Sequence, residues 1–310
     1  MSVPSDAYTV ILPAEGGGEQ KPIDETRVPG RWGIVVRRFL THRLAVAALA
    51  VLVFLFLLAF LGPYLTKYSY TDRDFNAFLK GPSAEHWFGT TQTGGDVYAL
   101  TLRGMQKSLI IGLLVAVVST GIAAIVGSFA GYFGGWPERV LMWVVDLLLV
   151  LPSFLIVAIL SPTFRGKTWL IFVVLLAAFL WMVTARIVRG MTISLREREY
   201  VMAARYMGVP ARTIIFRHIL PNISSLLIID ATINVSAAII SETSLSYFGF
   251  GVQPPDVSLG TIIADGTNSA TTYPWLFGFA GGLLVIIVLA VNVVGDGLRD
   301  ALDPSSGTSR

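Results

Sequence analysis

Three carboxylates stand inside apolar runs of this 310-residue chain: Asp146, Asp230 and, near the end of the run that holds Asp230 and Asn234, Glu242. An ionisable group at mid-bilayer costs about 2.5–3.5 kcal/mol on insertion scales. Such residues either line a polar path or are hydrogen-bonded to neighbouring helices, and both roles stay open for Asp146 and Asp230, with Asn234 beside the latter. Glu242 and Thr243 fall at the outer end of their run, where water is expected to reach them. Gly166-Lys167-Thr168 resembles the end of a phosphate-binding loop, but Ser161 stands where the first glycine belongs. The tripeptide also falls on the outer side, so no ATP site is expected in this chain. Neither HExxH nor GxSxG occurs, and His42, His86 and His218 lack metal-ligand spacing. With no cysteine, thiolate chemistry and disulfides are excluded. The chain is expected to be neither an enzyme nor the holder of a metal or cofactor.

The densest polar block is "EYVMAARYMGVPARTIIFRHILPN", Glu199 to Asn222. Seven arginines lie between Arg186 and Arg217, against Glu197 and Glu199. Charge alone fits an ordinary connection on the positive side of a membrane, but the internal order says more. "SLREREYVMAARYMG" predicts a short helix that Gly208 can end. Pro210 then starts a second helix through "ARTIIFRHILPN" as far as Pro221. Helix, glycine break and second helix make a rigid elbow.

The elements that must position these residues are membrane spans. The chain is 54% hydrophobic and only 14% charged, against roughly 25% charged in soluble domains. Its net charge of +3 comes from bases that flank apolar runs, which disfavours a nucleic-acid partner. About 20 apolar residues cross a hydrocarbon core, and six segments approach that length: roughly 44–62, 108–131, 139–160, 168–188, 224–245 and 275–295. The tail before Leu44 and the 186–217 connection are rich in arginine, whereas Gly249–Tyr273 contains neither lysine nor arginine. Both termini are therefore expected to be cytoplasmic. The expected organisation is a cytoplasmic, partly disordered tail over 1–43, a first span over 44–62, an extracytoplasmic segment over 63–107, a five-helix core over 108–295 with a connection at 189–222, and a cytoplasmic tail over 296–310. The basic tail is expected along anionic lipid headgroups. Gly134 and Gly135 followed by Pro137 predict a tight cytoplasmic turn, and Pro152 predicts a kink. Gly127 with Gly131, and Gly278 with Gly282, let helices approach closely.

Ala203-Ala204, Gly208 and Leu220-Pro221 are spaced as in the EAA motif of ABC-importer permease subunits, which the chain resembles. Met202 occupies the motif's glutamate position, with Glu199 and Arg205 the nearest charges. "HWFGTTQTGGDVYALTLRGMQKSL", "LSYFGFGVQPPDVSLGTIIADG" and "NVVGDGLRDALDP" resemble signatures of the C-type oligopeptide and dipeptide permeases. In the first of these, Gly95 replaces the usual arginine. Matching stretches run from about Arg31 to Pro304.

The resemblance implies an all-α polytopic protein of the bacterial plasma membrane, with six spans in the type I importer fold and a cytoplasmic coupling helix. It implies a second, homologous permease subunit, two cytoplasmic ATPase subunits that bind ATP and magnesium, and an extracytoplasmic peptide-binding lipoprotein. Glu199, Ala203, Ala204, Arg205, Gly208, Leu220 and Pro221 would form the coupling loop. Asp146, Asp230 and Asn234 are the residues offered to the translocation path. The alternative is a stand-alone ion-coupled carrier or channel that uses Asp146 and Asp230. The substrate would be selected chiefly by the binding protein.

Overall fold

A computed structural model describes residues 31–164 and 169–302. The Gly166-Lys167-Thr168 tripeptide and the outermost parts of both tails lie outside the described residues. Helices dominate, and among the described residues there is no strand; two isolated bridges, Arg73 with Gly95 and Thr90 with Asp96, occur in the outer segment.

The amphipathic α1, Arg31–Thr41, precedes the first apolar helix α2, Arg43–Leu61, which His42 caps by accepting from Ala45 N–H at 3.2 Å. After the outer segment comes α3, Val97–Phe133, with Asp96 as its N-cap, accepting from Ala99 N–H at 2.8 Å. At about 1.5 Å per residue, α3 is longer than a bilayer core is thick. It begins ahead of the expected Ser108 because its polar first turns, including Thr101 and Lys107, are buried by protein rather than lipid, which hydropathy cannot register.

The third and fourth spans are each broken. α4, Gly135–Val150, meets α5, Ser153–Leu160, at a bend of 78°, at Pro152. α6, Leu170–Leu180, meets α7, Met182–Arg196, at 48°. No proline stands there. The Trp181 indole N–H donates to the Ala178 carbonyl oxygen at 2.9 Å and takes an acceptor of the helical ladder.

α8 is Glu199–Tyr206 and α9 is Ala211–Thr213, followed by a π-helical turn over Ile214–Ile219 and α10, Leu220–Tyr247. α11, Leu259–Thr267, and α12, Trp275–Leu302, complete the chain. Among the described residues, four helices are long and apolar enough to cross a membrane, and up to six spans result if each bent pair counts as one. α12 passes the expected end of the last span at 295 by two turns, and its end packs on α1. Phe39 of α1 and Ala45 at the start of α2 are buried there with Val294 and Ala301.

α3 is the central helix, packed against α2, α4, α6, α7, α10 and α11. Its crossing with α7 needs glycine: a Cβ at Gly127 would lie 2.5 Å from the Ala185 carbonyl oxygen, and one at Gly131 would lie 2.7 Å from that of Arg189. By contrast, Gly278 and Gly282 have no neighbour within 4 Å of a built Cβ.

Candidate functional site

The elbow is a folded unit. Val201, Ala204, Ile214, Ile215 and Ile219 are buried together against Phe129, Tyr132, Leu195, Val209 and Leu220, which fixes α8 to the end of α3. Gly208 ends α8 at a φ of 77°. Val209 N–H reaches the Ala204 carbonyl at 3.1 Å and Gly208 N–H reaches that of Arg205 at 3.0 Å, the paired bonds of a Schellman motif. Its apolar contact is supplied by Val209 within the same cluster.

Of the residues expected in the coupling loop, Glu199, Ala203, Arg205 and Gly208 are exposed, whereas Ala204 is 4% exposed and belongs to the elbow's interior. Met202 is 40% exposed and shares the outer face with Tyr200, Tyr206 and Met207. The face is thus largely apolar and aromatic, with Arg205 and Glu199 as its charges.

Pro221 does not end the second helix as expected. The helical path continues from Ala211 to Tyr247. The missing N–H of Pro221 is absorbed by the π turn, where Leu220 N–H donates to the Ile215 carbonyl, and by Asn222, whose side-chain amide donates to the His218 carbonyl at 2.6 Å. The elbow's second helix and the fifth span are therefore one continuous helical rod.

The arginines divide by position. Arg186 pairs with Asp146, Arg189 pairs with Glu138, and Arg196 donates to the Gly131 and Tyr132 carbonyls at 3.2 and 3.3 Å, completing the end of α3. Arg198, Arg205, Arg212 and Arg217 are exposed on the elbow and its flanks.

Asp146 and Asp230 share no partner. The ion pair of Asp146 with Arg186 is half-exposed, at 56% and 51%. Asp230 accepts from Thr184 Oγ1 at 2.6 Å, Thr120 Oγ1 at 3.0 Å and Asn234 Nδ2 at 2.9 Å. The structure thus joins Asp230 and Asn234 to α3 and α7, two partners that the sequence gives no means of naming. Glu242 corrects the sequence reading. Instead of meeting water, it is 0% exposed and accepts from Ser246 Oγ at 2.6 Å and Ser108 Oγ at 3.3 Å. The chain after α10 folds back over it: Leu259 N–H, at the start of α11, donates to the same Ser108 Oγ at 3.1 Å.

The segment between α2 and α3 is anchored by side chains. His86 Nδ1 lies 2.8 Å from Asp96 Oδ2, and its Nε2 lies 3.6 Å from Asp74, beyond hydrogen-bond reach. Tyr68 stacks on the imidazole, and Phe88 stacks on Phe279 of α12. The Asn76 backbone N–H, and then His86, hold the Asp74 carboxyl below its usual range. Hydrogen bonds from Tyr68 and then Lys67 do the same for Glu85. Lys107 pairs with Asp256 at 2.8 Å and lies over the Trp169 ring. Between this segment and the 249–276 stretch lies a cavity of about 700 Å³, whose polar wall includes Arg73, Gln92, Gln253 and Asp265. Burial pushes the Asp265 carboxyl up.

Residues 123–307 match the family described as the binding-protein-dependent transport system inner membrane component, and residues 30–82 match the N-terminal transmembrane domain of oligopeptide transport permease C. The oligopeptide transport system permease protein OppC of Mycobacterium tuberculosis is 59% identical over 286 residues, covering 92% of this chain and 98% of that protein. OppC of Bacillus subtilis is 37% identical over 273 residues, covering 88% and 89%. Among solved structures, a chain of the inward-facing MetNI methionine ABC transporter aligns with a TM-score of 0.50 at 20% identity, covering 66% of this chain and 96% of that one. At that identity the likeness speaks for the fold alone.

Proposed function

The chain belongs to the family of binding-protein-dependent transport system inner membrane components, and on that premise we propose that it is a permease subunit of an ATP-driven importer of di- and oligopeptides. The observation that carries this reading is the match to OppC over 92% of the chain. In it, a second homologous permease completes the pathway, two cytoplasmic ATPases bind ATP and magnesium, and an extracytoplasmic binding protein delivers peptide. Both termini and the elbow face the cytoplasm, as the arginine distribution favours.

The elbow's exposed face supports contact with an ATPase subunit. Tyr200, Met202, Ala203, Tyr206 and Met207 form an apolar surface that Arg205 borders. With methionine at position 202, the contact there is made by apolar burial, and a charge pair is left to Arg205 or Glu199. We assign Asp230 and Asn234 to helix pairing rather than to contact with the peptide, because side chains of this chain already engage both carboxylate oxygens of Asp230 and the amide nitrogen of Asn234. The comparisons give no support to the stand-alone ion-coupled carrier.

The test is reconstitution in vesicles with the second permease, the ATPases and the binding protein. Peptide uptake is expected only with ATP on the cytoplasmic side and with every subunit present. Uptake by this chain alone, driven by a proton gradient, would overturn the reading.

A further inference from the structure

Two contacts between α3 and α10 share one register. Ser108 meets Glu242 and Thr120 meets Asp230, so moving twelve residues along α3 corresponds to moving twelve back along α10. Two carboxylates therefore clip the antiparallel pair at points about 18 Å apart along the axis. Between them the helices touch: a Cβ on Gly112 would lie 2.7 Å from the Ile239 side chain and 3.3 Å from the Val235 carbonyl oxygen. A slide of one helix past the other would break both clips and drive Ile239 into the backbone of α3.

The two ends differ in what else they hold. At the inner node, Asp230 Oδ1 accepts from Thr184 of α7, while Oδ2 accepts from Thr120 of α3 and from Asn234. One group thus gathers donors from three helices. A carboxylate suits this better than an amide, because both its oxygens accept and neither donates. At the outer node, Glu242 binds Ser246 and Ser108, and Ser108 in turn receives Leu259 N–H from α11. The helix that carries both carboxylates is continuous with the elbow's second helix, on which α8 packs through Val201 and Ala204.

We propose that Asp230 and Glu242 are positioning residues for transport, locking α3 and α10 in one register so that a displacement of the elbow moves both helices as a single body. Asp230 passes the same movement to α7 through Thr184, and Glu242 passes it to α11 through Ser108. Neither residue touches the transported solute. This inference rests on the importer reading and deepens it.

The chain has no cysteine, so a covalent clip can be placed in it without background from this subunit. The importer without the two new cysteines, treated with the same reagent, serves as the control for the other subunits. In the complete reconstituted importer, Ser108→Cys/Glu242→Cys is compared before and after bridging with a short bis-methanethiosulfonate. Before bridging, peptide imported per ATP hydrolysed is expected to fall about tenfold while ATP hydrolysis continues. After bridging, import per ATP is expected to recover. Arrested or unrecovered import after bridging would overturn the proposal, since it would mean that the helices slide or that the carboxylate acts in another way.

A milder pair guards against misfolding. Thr120→Ser keeps the hydroxyl and is expected to import as the wild type does, whereas Thr120→Val is expected to lose coupling at unchanged expression. Equal coupling in the two would also overturn the proposal. Failure of the wild-type complex to import peptide at all would count against the importer reading instead.

Discussion

Ala203 and Ala204 are neighbours in sequence that face opposite environments: Ala203 is exposed on the outer face of α8, and Ala204 packs with Val201, Ile214 and Ile215 inside the elbow. The same substitution should therefore fail in two different ways. Ala203→Arg leaves the elbow folded and is expected to prevent co-purification of the ATPases. Ala204→Arg forces a charge among buried apolar side chains, costs several kcal/mol, and is expected to open the 196–222 connection to limited proteolysis. Loss of ATPase binding without increased proteolysis in both variants would remove the distinction.

Gly208 tests the turn separately from the packing. A Cβ there meets nothing within 4 Å, so the cost of Gly208→Ala is that of the positive φ, about 1 kcal/mol. Gly208→Pro is worse, because proline fixes φ near −65° and removes the N–H bonded to the Arg205 carbonyl. Coupled transport is expected to drop severalfold in the alanine variant and to vanish in the proline variant, with membrane insertion intact. Wild-type uptake in Gly208→Pro would show that the turn is not needed.

Much of this arrangement was legible in the sequence where local rules act. Gly134 and Gly135 both adopt positive φ at the end of α3, Pro152 stands at the 78° bend, and Gly208 closes α8. The rest depends on contacts between segments far apart. The bend at Trp181 arises from an indole taking a backbone acceptor, and nothing in composition signals it. The burial of Glu242 depends on the chain returning at Leu259. Arginine enrichment marked the 186–217 connection, yet Arg186, Arg189 and Arg196 act within the chain, binding α4 and the end of α3. The shared register of Ser108–Glu242 and Thr120–Asp230 was also present as spacing, but the pairing of α3 with α10 had to be known before it could be read.

Acid should loosen the outer segment through Asp74. Its folded pKa is held below the usual aspartate value by the Asn76 backbone N–H first, and then by His86. The resulting stability is fully present above the ordinary aspartate range and is lost as pH falls through the lower, folded value. Hydrogen exchange in residues 66–96 is therefore expected to stay constant from neutral pH to about pH 4 and to accelerate below it, after correction for intrinsic rates. Asp74→Asn should raise exchange at neutral pH and reduce the acceleration on acidification. An identical pH profile in wild type and variant would exclude Asp74 as the source.

Asp146 separates the importer from an ion-coupled carrier. Its carboxylate is already paired with Arg186 within this chain, across the α4–α7 contact, so the charge is neutralised by a neighbouring span. In an importer driven by ATP, Asp146→Asn keeps the side chain's size and removes one charge at the edge of the α4–α7 contact. ATP-dependent peptide uptake is expected within about twofold of wild type, with lower thermal stability because Arg186 loses its partner. A proton relay through this carboxylate would instead be abolished, because an amide does not titrate. Loss of transport in Asp146→Asn, with the assembled complex still hydrolysing ATP in response to the binding protein, would give the aspartate a role that an ion pair between α4 and α7 does not explain.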